Sequence, residues 1–299
     1  MTKKSETAVF FGSGPVSAQA LRKMAKYLDI EAVITKPQPV HHLYEMPVLK
    51  AAKELGLKTF TASNKAELSK LFESKQFKSS LGIVLDYGII IPKAVIDYFP
   101  LGIINSHFSL LPKLRGADPI SFAILSGDKQ TGVSLMLINE KMDEGPLLAQ
   151  ERLDLDQEIT TPELTDKLID LSDNMLKQTV PGYSSGKIKP YAQTGEPTYT
   201  RKLTKEDSIL DFSKTSDELC REVRAFAEWP RSRFTLNDLH IIVTKAHSIA
   251  GVGTPGKIYK SNSEFGLYTS DGIFIIDKLI PGSKKEMSSE AFLAGYKVA

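Results

Sequence analysis

Short apolar segments alternate with amphipathic helical ones across residues 8–85, and this alternation constrains the fold more than any other feature of the chain. Ala8–Phe11, Glu31–Thr35, Lys58–Phe60 and Leu81–Leu85 read as strands. Between them, Val16, Ala20, Met24 and Leu28 recur at helical spacing, and Pro47–Leu55 and Lys65–Glu73 read as further helices. A chain that alternates in this way buries both faces of a mostly parallel sheet under helices, so an α/β, Rossmann-like domain is expected. Gly12-Ser13-Gly14-Pro15 follows the first strand; Ser13 or Gly14 is placed to cap a helix that starts near Pro15. Gly-x-Gly at this point also suits a dinucleotide site. Ser17 stands where the third glycine of that fingerprint belongs, however, and no ribose-binding acid follows the next strand. A tight strand-to-helix turn is the expected role.

Chemistry concentrates in Leu101–Pro146. Gly102–Asn105 has the apolar character of a buried strand, and it runs out into Asn105, Ser106 and His107. Alternate strand residues point the same way, so Asn105 and His107 share a face. Burying unpaired polar groups is costly, so both side chains need partners or a task. A second strand, Thr131–Ile138, leads into a loop that carries Asp143 and turns at Gly145-Pro146. This order is expected to bring a carboxylate to the Asn and the His where two parallel strands end, the usual ligand position of open α/β sheets. A lone Asn or His in a sheet is more often a satisfied polar residue than a catalyst, and spacing alone establishes only that the first two are close. Asp118-Pro119 reads as the N-cap and first residue of a helix that Gly127 ends.

Farther on, Leu147–Leu155 reads as an edge strand, and Thr160–Val180 as a long helix with Leu164, Leu168, Leu171, Met175 and Leu176 in its apolar stripe. Tyr183–Lys202 is rich in turn residues and reads as a connector. Beyond it, short strands at Phe234, Ile241–Val243, Gly256–Tyr259, Gly266–Tyr268 and Ile273–Leu279 suggest a small β-barrel. The expected organisation is a first domain over residues 1–186, a linker over 187–204 and a second domain over 205–299.

Charge says little about partners. The net charge is +2, with 21 Lys and Arg against 22 Asp and Glu in residues 1–186, 4 against 1 in 187–204, and 13 of each in 205–299. Any nucleic-acid contact must therefore use local patches. The single cysteine, Cys220, excludes an intramolecular disulfide; it lies in the helical stretch Glu218–Ala225 and reads as a packing residue. The apolar run before Gly12 is too short for a signal peptide and no later run suits a membrane span, so a cytoplasmic protein without a membrane partner is expected. A monomer is also expected. His41-His42 reads as a solvated loop pair, and no other His or Cys falls at ligand spacing, so no metal is expected.

Taken together, Asn105-Ser106-His107, Ser109-Leu110-Leu111-Pro112, Arg115-Gly116, Pro119-Ile120, Gly127-Asp128, Thr131-Gly132-Val133 and Asp143 with Gly145-Pro146 resemble the formyltransferase family that uses 10-formyltetrahydrofolate. The resemblance continues through Thr198–Phe212, Trp229-Pro230 and residues 281–296. It implies an OB-like C-terminal domain that binds tRNA, and transfer of formyl to the amine of initiator methionyl-tRNA for translation initiation. It also assigns catalysis to Asn105, His107 and Asp143. Asn105 would donate to a tetrahedral oxyanion, His107 would be a second donor or proton shuttle, and Asp143 would help the amine lose its proton. Ser109, Leu110, Leu111 and Pro112 would form the folate loop, with Leu85–Gly88 and Ile91-Pro92 near the pterin.

One stretch departs from the family. Its loop after the second strand is long, glycine-rich and basic, whereas Thr35–Pro47 here is shorter and holds a single lysine, Lys36. Lys36, His41 and His42 would substitute for it, or patches at Arg221, Arg224, Arg231, Arg233, Lys284 and Lys285 would carry more of the binding. Two other readings stay open: a formyltransferase for an amino-sugar nucleotide, and a non-catalytic tRNA- or folate-binding module.

Overall fold

The computed structural model describes residues 6–40, 44–261 and 264–297. Packing divides the chain into one unit of residues 1–116, 131–154 and 165–199, and a second of 117–130, 155–164 and 200–299. In chain order the elements are β1 (Thr7–Phe11), α1 (Pro15–Met24), β2 (Asp29–Thr35), α2 (Pro47–Glu54), β3 (Thr59–Thr61), α3 (Lys65–Ser74), β4 (Leu81–Val84), α4 (Lys93–Ile96), β5 (Ile103–His107), β6 (Arg115–Gly116), α5 (Pro119–Leu125), β7 (Gln130–Leu137), β8 (Leu147–Asp154), α6 (Thr161–Ser184) and β9 (Tyr199–Thr200).

A seven-stranded sheet in the order β3-β2-β1-β4-β5-β7-β8 carries the first unit. β3, β2, β1, β4 and β5 pair in parallel. Ala8, Val9, Phe10 and Phe11 are fully buried, the continuous apolar run that a strand covered on both faces requires. Phe11 stacks on Phe72 and meets Tyr87 and Phe99 edge-on, so one aromatic cluster ties the sheet to α3 and to the segments after β4.

Strand order reverses between β1 and β4, the place where doubly wound sheets open a crevice. Here that exit is stitched. Ser13 donates its N–H to Asp86 O at 3.0 Å and its hydroxyl to Tyr87 O at 2.5 Å, and the Ser17 hydroxyl donates to Leu85 O at 2.6 Å. A Cβ on Gly12 would lie 2.6 Å from that of Ser17, and one on Gly14 would lie 2.2 Å from Asp86 Oδ2. The glycines therefore serve a tight strand-to-helix turn, as expected.

The far side of the sheet corrects one expectation. β5 pairs with β7 antiparallel, with Asn105 opposite Met136 and His107 opposite Ser134. Residues 138–146 thus leave β7 near the start of β5, not where two parallel strands end. Asp118 differs in a second way: it occupies the N-cap position of α5 with φ of 56°, yet its side chain makes no cap. Its Oδ2 instead accepts from Leu203 N–H at 2.9 Å. Gly127, at φ of 69°, follows that helix as expected.

The second unit adds α7 (Ser216–Ala225), β10 (Arg233–Leu236), β11 (Leu239–Ile249), β12 (Ile258–Lys260), β13 (Phe265–Tyr268), β14 (Ile273–Pro281), β15 (Met287–Ser288) and α8 (Ser289–Gly295). Its strands form a curled antiparallel half-barrel ordered β10-β11-β14-β13-β12, with β15 on β14. A register shift near Val243–Ala246 bends the long β11 against β14, which lets the sheet wrap its core. Leu219, Phe265, Phe274 and Ile276 are fully buried there. Thr215 and Glu218 close a reciprocal capping box that starts α7. Cys220 lies on the buried face of α7, where burial pushes its thiol up to about 12, so it carries no thiolate near neutrality. Among the described residues, no helix is long and apolar enough to cross a membrane.

Candidate active site

The pleat of β5 sorts its last three side chains. Ser106 points to one face, where its hydroxyl meets that of Ser172 on α6 at 2.7 Å. Asn105 and His107 share the other face, as alternation requires. His107 is buried, and its Nε2 lies 2.9 Å from the carbonyl oxygen of Leu114. A carbonyl only accepts, so Nε2 carries a proton and the imidazole presents Nδ1 to its other neighbour. That neighbour is Asp143, whose Oδ2 stands 3.7 Å from Nδ1. Asn105 Nδ2 reaches Asp143 Oδ1 at 3.5 Å. The three side chains singled out from the sequence are therefore brought together.

Asp143 is held in a demanding backbone conformation. Its φ is 53°, in the left-handed region, and its Oδ2 accepts from Gly116 N–H at 2.8 Å. Two residues on, a Cβ at Gly145 would lie 1.7 Å from Leu137 O, so only glycine lets the loop close. One side chain that the sequence did not single out, Gln193, completes the arrangement together with Arg115. Gln193 donates through Nε2 to Asp143 O and Gly145 O, each at 2.8 Å. Its Oε1 accepts from Arg115 Nε at 3.3 Å and Nη2 at 2.8 Å. Arg115 Nη1 also lies 3.5 Å from Glu144 Oε1. No local signal marks Gln193, a lone amide in a turn-rich connector.

The 109–114 loop is ordered by hydrogen bonds within itself and to β5, β7, β8 and Thr198. Ser134 Oγ donates to Ser109 O at 2.7 Å and accepts from Leu111 N–H at 3.0 Å, while Gln150 Nε2 donates to Leu111 O at 2.9 Å. Lys113 N–H donates to Leu110 O at 3.0 Å, Thr198 N–H to Pro112 O at 3.3 Å, and the Ser109 hydroxyl to Lys113 O at 2.6 Å. With Leu114 O taken by His107, every carbonyl from Ser109 to Leu114 already accepts a hydrogen bond. The Leu111 side chain is buried against Met136 and Leu147, and the Leu111-Pro112 peptide is cis.

Of the basic groups named from the sequence, Arg221 turns inward, donating Nε–H to Leu125 O at 3.2 Å at the end of α5. Arg224 is 16% exposed and faces Glu158 at 3.9 Å. Arg233, Lys284 and Lys285 are exposed, and Lys36 lies over Gly88. His41 and His42 lie outside the described residues. Among the described residues, no group of three or more His, Cys, Asp or Glu is arranged to hold a metal ion.

Residues 7–180 match the model of the formyl transferase family, and residues 202–297 match that of the formyl transferase C-terminal domain. A methionyl-tRNA formyltransferase of Myxococcus xanthus is 32% identical over 97% of this chain and 95% of its own length. One from Listeria innocua is 31% identical over 96% of this chain and 95% of its own. Among solved structures, an N-formyltransferase from Helicobacter canadensis, in complex with folinic acid and dTDP-3-aminofucose, superposes with a TM-score of 0.67 at 19% identity, covering 91% of this chain and 98% of that one. HypX from Aquifex aeolicus in complex with tetrahydrofolic acid gives 0.64 at 16% identity, covering 98% of this chain and 47% of that one.

Proposed function

The chain belongs to the formyl transferase family, and we propose that it transfers formyl from 10-formyltetrahydrofolate to the amino group of initiator methionyl-tRNA. One observation carries the reading: Asn105, His107 and Asp143 converge at the end of β5 in a chain about 30% identical, over nearly its whole length, to methionyl-tRNA formyltransferases. Residues 1–186 would hold the transfer chemistry, 187–204 the linker, and 205–299 the OB-like tRNA-binding domain. Such a reaction belongs in the cytoplasm, at the start of translation.

In this reaction the amine nitrogen bonds to the formyl carbon, the bond from that carbon to the folate nitrogen breaks, and an amine proton passes to the departing nitrogen. Asn105 Nδ2 spends one N–H toward Asp143 and keeps a second to donate to the oxyanion that forms. Asp143 draws the proton from the attacking amine. Because Leu114 O holds Nε2–H, His107 exchanges protons at Nδ1, the nitrogen beside Asp143. With Nδ1 protonated, the ring becomes a second donor and stabilises the carboxylate.

The folate co-substrate suits the rigid 109–114 loop, which offers a fixed wall that needs no ordering on binding. Ile90 after β4 and Met142 beside Asp143 are 69% and 65% exposed, apolar surface of the kind a pterin covers. The co-substrate supplies an activated formyl carbon, and Asn105, His107 and Asp143 supply the polar groups around it.

A formylation assay tests the proposal. Purified protein with 10-formyltetrahydrofolate should formylate methionyl-tRNA and leave dTDP-amino sugars unmodified. The single lysine of Thr35–Pro47 favours the sugar alternative. Transfer to the sugar alone would replace the tRNA reading with it, and no transfer to either would leave a binding module.

A further inference from the structure

Residues 191–198 touch the candidate active site at more points than a connector requires. Tyr191 and Leu147 exchange backbone hydrogen bonds of 2.8 and 2.9 Å. Gln193 then bridges from Arg115 to the carbonyls of Asp143 and Gly145, on both sides of Glu144. Thr198 closes the other end: its Oγ1 accepts from Leu114 N–H at 2.8 Å, and its carbonyl accepts from Arg115 N–H at 2.9 Å. Leu114 sits at φ of 55°, a conformation a leucine adopts only when it is held there, and its carbonyl takes the His107 Nε2–H. The segment therefore grips the backbone of Asp143 at one end and the acceptor that orients His107 at the other.

We propose that residues 191–198 form a strap whose Gln193 and Thr198 are positioning residues for Asp143 and His107. The inference rests on the formyl-transfer reading for its kinetic consequence, though the geometry it describes does not. The Gln193 amide sets the peptide plane at Asp143, and so the carboxylate that faces Nδ1. The Thr198 hydroxyl holds the Leu114 N–H and the Thr198 carbonyl holds the Arg115 N–H of the next peptide, so that together they fix Leu114 and the direction of the carbonyl that takes the His107 Nε2–H. An error of about 1 Å at either point separates the reacting groups, which costs on the order of a hundredfold in rate.

Four single variants of the full chain test this. Gln193→Ala and Thr198→Val should lower kcat for methionyl-tRNA formylation by tenfold or more while KM for either substrate stays within about twofold, since both act through the backbone that positions Asp143 and His107. Gln193→Glu keeps the acceptor for Arg115 but loses both donors, so it should be as slow as Gln193→Ala. Thr198→Ser keeps the hydroxyl and should restore kcat to within about threefold of the parent. A merely structural segment would lower the thermal midpoint without this kcat and KM split and without rescue by serine. The 15N resonances of the His107 imidazole supply a readout that needs no acceptor. They should move in Gln193→Ala and Thr198→Val and stay near the parent's in Thr198→Ser. If the parent fails to formylate methionyl-tRNA, the functional reading falls and the imidazole spectra alone decide the strap. Parent-like kcat, or unmoved His107 resonances, in folded Gln193→Ala and Thr198→Val protein overturns it.

Discussion

His107 presents Nδ1 to Asp143 Oδ2 at 3.7 Å because its other nitrogen is occupied by a backbone carbonyl. At that distance the pair is a loose contact, and catalytic hydrogen bonds commonly tighten only in the reactive complex.

Replacing Asn105, His107 or Asp143 by Ala should each lower turnover by about a hundredfold or more with the fold intact, the usual effect of losing one oxyanion donor or acid–base group. The double variant Asn105→Ala with Asp143→Ala should lose far less than the product of the single losses, because both act on one transition state. Steady-state rates on protein of parent-like circular dichroism check this, and a near-normal rate in Asn105→Ala removes that side chain from the chemistry.

Ser134 holds the 109–114 loop through Ser109 O and Leu111 N–H. Ser134→Ala releases both, so affinity for a folate analogue should fall several-fold while tRNA affinity stays unchanged. Calorimetry with the analogue measures it, and equal affinity excludes this loop from the folate site. Leu111→Asp is a poor substitute test, since it would drive a carboxylate into the cluster of Met136 and Leu147 and unfold the loop.

If the acceptor is a tRNA, exposed cations must meet its phosphates. Lys284→Ala with Lys285→Ala should raise KM for tRNA and reduce the slope of log affinity against log salt by somewhat under one unit for each phosphate no longer neutralised. Arg221→Ala with Arg224→Ala should instead lower the thermal midpoint and leave that slope unchanged, because Arg221 holds the end of α5 and Arg224 is mostly buried. A flattened slope in the arginine pair and a parent-like one in the lysine pair would reverse the assignment.

Asp207 gives a pH dependence of defined sign. Its ion pair with Arg201 and the N–H of Thr204 hold its carboxyl down to about 2. The unfolded chain binds this proton more readily, so Asp207 stabilises the fold above the ordinary carboxylate range, and that contribution is lost as pH falls toward 2. Asp207→Asn should therefore melt a few degrees below the parent at neutral pH, with the gap closing through the acid range. A gap that persists at pH about 2 would show that packing, not charge, is responsible.

Periodicity and turn chemistry by themselves determined the alternating first unit, the glycine turn after β1, and the shared face of Asn105 and His107. These are properties of neighbouring residues, and the chain carries them locally. Strand direction is different. Nothing in residues 130–137 states which way β7 runs, because that depends on the path of the segment before it, and only the tertiary structure placed it antiparallel to β5. Arg221 read as a surface cation until packing set it against the end of α5. Gln193 is the clearest case: its partners lie 50 residues away at Asp143 and 78 away at Arg115. An amide can donate and accept wherever the fold delivers it, so its task is decided by long-range contacts that leave no local pattern.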